Sequence, residues 1–237
     1  MSKTTTTSLL GGVLLAGSVL AGEVAPITTP APESKFSSDI AVGYHSQYNW
    51  RGFDLGNDMV DATVNTAFTC PYTGLDISAG AWYASVKDGG FDELDLYTAA
   101  SKDLGFATAS VGYIFYHFFD SADDAQEVTF GLSKEFYGVE TGVTYFWDVE
   151  TDNGGYLEGS ISKSFGPVST GVAVGYSLEE DGFTHVTSKV SYDYALTDTA
   201  TLSPYVAYAV ELDELEGVYG TDEENEFFAG AVLTVTF

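Results

Sequence analysis

From Ile40 onward the chain alternates apolar and polar residues with a period of two. That is the pattern of a strand with two unlike faces; a helix would repeat its apolar positions at three or four. In 40–51 one parity reads Ile40, Val42, Tyr44, Tyr48 and Trp50, and the other Ala41, Gly43, His45, Gln47, Asn49 and Arg51. In 60–68, Val60, Ala62, Val64 and Phe68 oppose Asp61, Thr63 and Asn65; in 75–85, Leu75, Ile77, Ala79, Ala81 and Tyr83 oppose Asp76, Ser78 and Gly80. Further runs occupy 92–101, 106–119, 126–133, 139–149, 156–163, 168–178, 184–195, 200–210 and 225–237, which predicts twelve strands and no helix between them.

The connections alternate as well. Segments 52–58, 87–91, 120–125, 150–155, 179–182 and 211–224 are acidic and often long, whereas 70–74, 102–105, 134–138, 164–167 and 196–199 read as tight turns. A soluble barrel would turn its apolar face inward, yet here the opposite parity is mostly Gly, Ser, Thr, Asn and charge. Twelve strands also enclose a wider cylinder than the eight that side chains alone can fill. Trp50, Tyr83, Phe119, Trp147, Tyr176 and Tyr208 gather toward the acidic loops, and Phe68, Phe106, Phe165, Tyr194 and Phe237 toward the tight turns. Two aromatic girdles around an apolar band are what a barrel presents to lipid. The expected fold is all-β: an up-and-down antiparallel transmembrane β-barrel of about 12 strands over 36–237, with both termini periplasmic and the acidic loops outside.

The N-terminus fits that location. Residues 1–22 carry Lys3, an apolar stretch from Leu9 to Leu20 and then small residues, the layout of a cleaved signal peptide. The stretch is too short for a helical span, which needs roughly 20 residues. Residues 23–35, with three prolines, read as a periplasmic leader. The final strand ends on Phe237, a terminal aromatic of the kind that engages the barrel-assembly machinery.

Composition removes several classes. With 35 Asp+Glu against 8 Lys+Arg and a net charge of −27, a nucleic-acid partner is excluded for want of clustered bases. Sixteen Tyr, 16 Phe and 3 Trp argue against disorder, and the single cysteine, Cys70, excludes an internal disulfide framework.

The stretch SQYNWRG at 46–52 and FDELDLY at 91–97 resemble the TorF-type porins, a family of small bacterial outer-membrane barrels. The resemblance runs along the barrel and is densest over 39–120; after Gly52 the chain departs from it, with FDLGND where the family is richer in Ser and Thr. It implies the fold and an outer-membrane location, and adds little about a solute.

On the parity that avoids lipid lie Arg51, Asp61, Asp76, Glu93, Asp95, Glu127, Glu140, Glu158, Lys189, Asp193 and Glu226, nine acids against two bases, with His45 and His185 beside them. Charge is costly in hydrocarbon, so these side chains must face a lumen holding water or one another. One reading is an acid-lined, cation-preferring pore; the other is an interior knitted shut by carboxylate networks around Arg51 and Lys189. Arg51 should form a mouth-level pair or triad with Glu93 and Asp95, since a guanidinium fork holds a carboxylate with two bonds. His117, on the lipid parity, has no serine marked out as a catalytic partner and reads as a girdle histidine. Asp213, Glu214, Glu216, Asp222, Glu223 and Glu224 form an acidic loop without fixed metal-ligand spacing, and Cys70 an inert turn residue. The expected function is passive diffusion of small polar solutes or ions through an outer-membrane porin-like channel, weakly cation-preferring, with no catalysis and no cofactor. The alternative is a closed structural or surface-interaction barrel.

Overall fold

The computed structural model describes residues 36–88, 90–119, 123–151, 154–212 and 225–237. The expected signal peptide and leader, and the acidic cluster at 213–224, lie outside them. The strands are β1 (Ser37–Trp50), β2 (Phe53–Thr69), β3 (Asp76–Val86), β4 (Phe91–Asp103), β5 (Thr108–Phe118), β6 (Ala125–Phe136), β7 (Val139–Asp148), β8 (Tyr156–Phe165), β9 (Val168–Ser177), β10 (Gly182–Tyr192, resuming as Tyr194–Ala195), β11 (Ala200–Glu211) and β12 (Glu226–Thr236). Each pairs antiparallel with its chain neighbour, and β12 returns to β1, so the twelve strands form one closed ring. Closure satisfies the backbone without leaving edges, which is what lets strands cross a bilayer.

The period-two pattern puts Val42, Val60, Val111, Phe130 and Val190 on the outside, where they are exposed, as are Phe119, Trp147, Phe165 and Tyr194 at the two ends of the wall. The gap in β10 has a local cause. Asp193 lies opposite the stretch of β11 that contains Pro204, which has no N–H to give to the ladder. On its other side the backbone N–H of Asp193 continues the β9 register by bonding to the carbonyl of Pro167, and Ser203 donates to the Asp193 carboxylate at 2.7 Å.

The first hairpin departs from the rest of the wall. Against β12, β1 is paired from Asp39↔Thr236 only as far as His45↔Gly230. Against β2 it continues to Trp50↔Phe53, with Leu55 left as an extra residue in a bulge between Tyr48↔Gly56 and Asn49↔Asp54. The expected acidic loop 52–58 is therefore strand from Phe53 onward. The turn is Arg51–Gly52 alone, with φ of +51° and +92°, a two-residue reversal of the kind whose twist matches that of the strands it joins. Alternation also fails here: Gln47, Tyr48 and Asn49 are buried in succession. Tyr48 and Trp50, expected on the lipid side, pack into the interior instead. Both faces of the hairpin tip are covered because the tip folds into the barrel.

Candidate functional site: the hairpin tip in the lumen

In the wall, β1 and β2 neighbour only β12 and β3, yet the tip between them touches strands all around the ring. Tyr48 donates its hydroxyl to Glu93 Oε2 on β4 at 2.7 Å. Arg51 donates from Nη1 and Nη2 to the two oxygens of Glu127 on β6, at 2.8 and 2.7 Å. Its guanidinium lies 4.4 Å from the Trp50 ring, 4.5 Å from Phe146 on β7 and 4.4 Å from Tyr156 on β8. Gly52 sits against His185 on β10: a Cβ at position 52 would fall 2.5 Å from the His185 Cβ. A hairpin lying in the plane of the wall could not reach β4, β6, β7, β8 and β10 together.

The walls are shaped to receive it. Tyr116 on β5 donates to Glu127 Oε2 at 2.8 Å, giving that carboxylate a third bond. The Tyr156 hydroxyl lies 2.7 Å from His185 Nε2, and Thr187 Oγ1 lies 2.9 Å from Nδ1 of the same ring. Gly175 on β9 leaves the room these two rings occupy, since a Cβ there would collide with the Tyr156 hydroxyl and the His185 ring. With Arg51 at 6% exposure and Glu127 at 8%, their two-bond pair is shielded from water. The gain from such a pair is offset by desolvation, so its weight shows when one partner is removed and the other is left charged and buried.

Beside the tip, on the same inner face, a second network runs around the wall. His45 joins the Tyr205 hydroxyl at 2.7 Å and Asp61 Oδ1 at 3.1 Å, and Trp82 donates to Asp61 Oδ2 at 2.7 Å. Tyr97 donates to Asn65 at 2.6 Å, and Asn65 to Asp39 at 3.0 Å. Lys189 sits 4.1 Å over the Tyr205 ring.

The inner-face residues named from the sequence thus separate into two groups. His45, Arg51, Glu93, Asp95, Glu127 and His185 are buried among protein atoms. Asp76, Glu140, Glu158, Lys189 and Glu226 keep part of their surface exposed, and the Asp61 side chain retains 6%. The expected triad of Arg51 with Glu93 and Asp95 does not form. Arg51 reaches past β4 to Glu127 because its left-handed turn position aims it across the barrel rather than along the near wall. Tyr116, Phe146 and Tyr156 were not singled out, although Phe146 shares its parity with Glu140, Tyr156 with Glu158, and Tyr116 has the parity opposite to that of His117. Tyr48 and Trp50 gave no such signal. His117 Nδ1 lies 2.6 Å from Asp124 Oδ1. Among the described residues no group of three or more His, Cys, Asp or Glu is arranged to hold a metal ion.

No family model matches the chain, and no curated protein matches it. Solved structures do. An outer membrane channel from Pseudomonas putida F1 superposes with a TM-score of 0.59 at 10% identity, over 91% of this chain and 100% of that one. Outer membrane phospholipase A from Escherichia coli gives 0.51 at 14%, over 84% and 92%. The KdgM porin, solved in complex with disordered oligogalacturonate, gives 0.51 at 10%, over 85% and 98%. At these identities the likeness is one of fold, an outer-membrane β-barrel shared by channels and an enzyme alike. The TorF resemblance rests on its short motifs.

Proposed function

We propose that this protein is an outer-membrane channel for small polar solutes or ions whose outer mouth is narrowed by its own first hairpin. The observation that carries the reading is the contrast along the inner face. Below the packed tip, Thr63, Thr129, Thr144, Glu158 and Ser160 are partly exposed on the inside of a ring whose outside is apolar. A polar, solvated bore beneath a single occluding element is the arrangement of a restricted channel. Glu140 and Glu158 line that bore with Lys189 as the one candidate base outside the tip, so the pore favours cations. A low-dielectric wall focuses this field, and salt screens it beyond about 8–10 Å, which keeps the preference modest.

A permanently closed structural barrel is the second reading, and the dryness of the tip favours it: Asp95 and His185 are 0% exposed. Single-channel recording on refolded protein separates the two. Steady conductance steps, with a reversal potential in a salt gradient that favours cations and weakens in Glu140→Gln and Glu158→Gln, support the channel. A silent bilayer over correctly folded protein, with Glu127→Gln silent as well, rejects it. Lipid turnover by the same preparation would move the protein to the enzymes that share this fold.

A further inference from the structure

The tip cluster holds three carboxyl groups, Glu93, Asp95 and Glu127, and one guanidinium, Arg51. Arg51 is committed to Glu127 by two bonds, and the pair is neutral. Glu93 and Asp95 remain, both buried, at successive inward positions of β4. Glu93 accepts the Tyr48 hydroxyl, but Asp95 is 0% exposed and neither of its oxygens has a hydrogen-bond partner among the described residues. The titratable groups beside the pair are Tyr48 of the hairpin, Tyr97 on β4, Tyr116 on β5 and Glu127 on β6; Arg51 lies beyond Glu127, and Asp61 on β2 lies beyond Trp82 of β3, which does not titrate. Asp61 is held by Trp82 and His45, so no base is left over for either acid.

Two ionised carboxylates here would be a double negative charge without a counter-ion, in a space from which water is excluded. Like charges sharing one buried site cannot both ionise readily. Ionised, both groups only accept, so they cannot bond to each other; a single proton turns one of them into a donor. A metal ion is the other way to neutralise such a pair, but no metal-holding group of three ligands is present among the described residues.

We infer that Glu93 and Asp95 hold one proton between them, and that this shared proton keeps the hairpin seated in the lumen. Rising pH removes it and leaves a second negative charge beside Glu127. Among the described residues of the tip, compensation must come from water or from Arg51, now bonded to Glu127. Either one loosens the tip: water by entering between Tyr48 and β4, Arg51 by turning away from Glu127. The mouth therefore opens as pH rises. That last consequence rests on the channel reading, whereas the proton itself does not.

Infrared spectroscopy of refolded protein in D2O tests the proton without any current. At neutral pH the wild type should show the C=O stretch of a protonated, buried carboxyl group. It should be lost on alkaline titration, in Asp95→Asn and in Glu93→Gln. If either variant fails the heat-modifiability test of folding, 13C-labelling of aspartate or glutamate in the wild type makes the same assignment by isotope shift. Absence of the band at neutral pH overturns the inference. In bilayers the wild-type conductance should rise with pH, and Asp95→Asn, permanently neutral, should lose that rise. A band with pH-independent conductance overturns the proton's part in seating the hairpin. A band with no conductance at any pH leaves the shared proton standing and overturns the channel reading instead.

Discussion

The barrel interior has two halves built on the same strands. At the loop end, Tyr48, Glu93, Asp95, Tyr116 and Arg51 are all at or below 6% exposure. Toward the short turns, Thr63 on β2, Thr129 on β6, Thr144 on β7 and Ser160 on β8 remain partly exposed. β6 passes from buried Glu127 to part-exposed Thr129 in two residues, one step along the inner face. The wall is continuous across this boundary. What changes is whether the first hairpin is inside it. Occlusion is thus a property of one hairpin, and can be altered without rebuilding the barrel.

The strongest way to break the contrast is Glu127→Gln. It leaves Arg51 charged and buried without a carboxylate, a loss of about 3–5 kcal/mol when one member of a buried pair is removed. The tip should unseat while the ring persists: amide exchange over 47–57 accelerates, conductance rises, and heat-modifiability is retained. Unchanged exchange over 47–57 would mean that the hairpin is held by something other than this pair. Gly52→Val should act in the same direction with a smaller effect. Its Cβ meets His185, and a left-handed β-branched residue adds about 1–2 kcal/mol of strain. Deletion of one hydroxyl, Tyr156→Phe, removes the contact to His185 and should cost about 1 kcal/mol, read as a small rise in tip exchange with no change elsewhere.

The smallest effect belongs to an exposed pair just outside the tip. Lys87 donates to Asp58 at 3.0 Å, and that bond raises the lysine pKa. A raised folded-state value means the contribution is whole below the unfolded lysine pKa and is lost as pH climbs through the folded one. Solvent and salt screen it, so Lys87→Ala should leave exchange over 47–57 at neutral pH nearly unchanged. A Lys87→Ala effect as large as that of Glu127→Gln would erase the distinction between buried and exposed pairs on which the comparison stands.

Most of the fold was legible because a barrel wall obeys one local rule. Val60 against Asp61, or Ile77 against Ser78, reports its face without knowledge of any other strand. The rule fails where a segment leaves the wall. Tyr48 lies on the apolar parity of β1 and still ends in the interior, because its surroundings are set by β4, which no local pattern records. The Arg51–Glu127 pair was illegible for the same reason: the partners are 76 residues apart, one in the first turn and one on β6, which neither flanking strand neighbours. Nearest-neighbour reasoning along the rim pointed to Glu93 and Asp95, which the side chain passes over. Tyr116, Phe146 and Tyr156 were within reach of parity alone, had the inward aromatics been weighed along with the inward charges.

The early end of the β1–β12 ladder sets how deeply the molecule can sit in a bilayer. Above His45↔Gly230, β12 is still paired with β11, through Ala207↔Phe228 and Tyr208↔Phe227, but β1 has turned away. The Ser46 hydroxyl catches the Ala229 N–H at 2.9 Å, and beyond it the ladder to β1 offers the backbone of Phe227 no partner. Hydrocarbon does not tolerate such an edge, because an unpaired peptide group there has no water to turn to. On this side the acyl chains must therefore end at or below the level of Gly230, with Phe227 among the headgroups. The folded-in hairpin thus acts as a draught mark on the outer wall, fixing the immersion of the barrel from a register that lies within a single sheet.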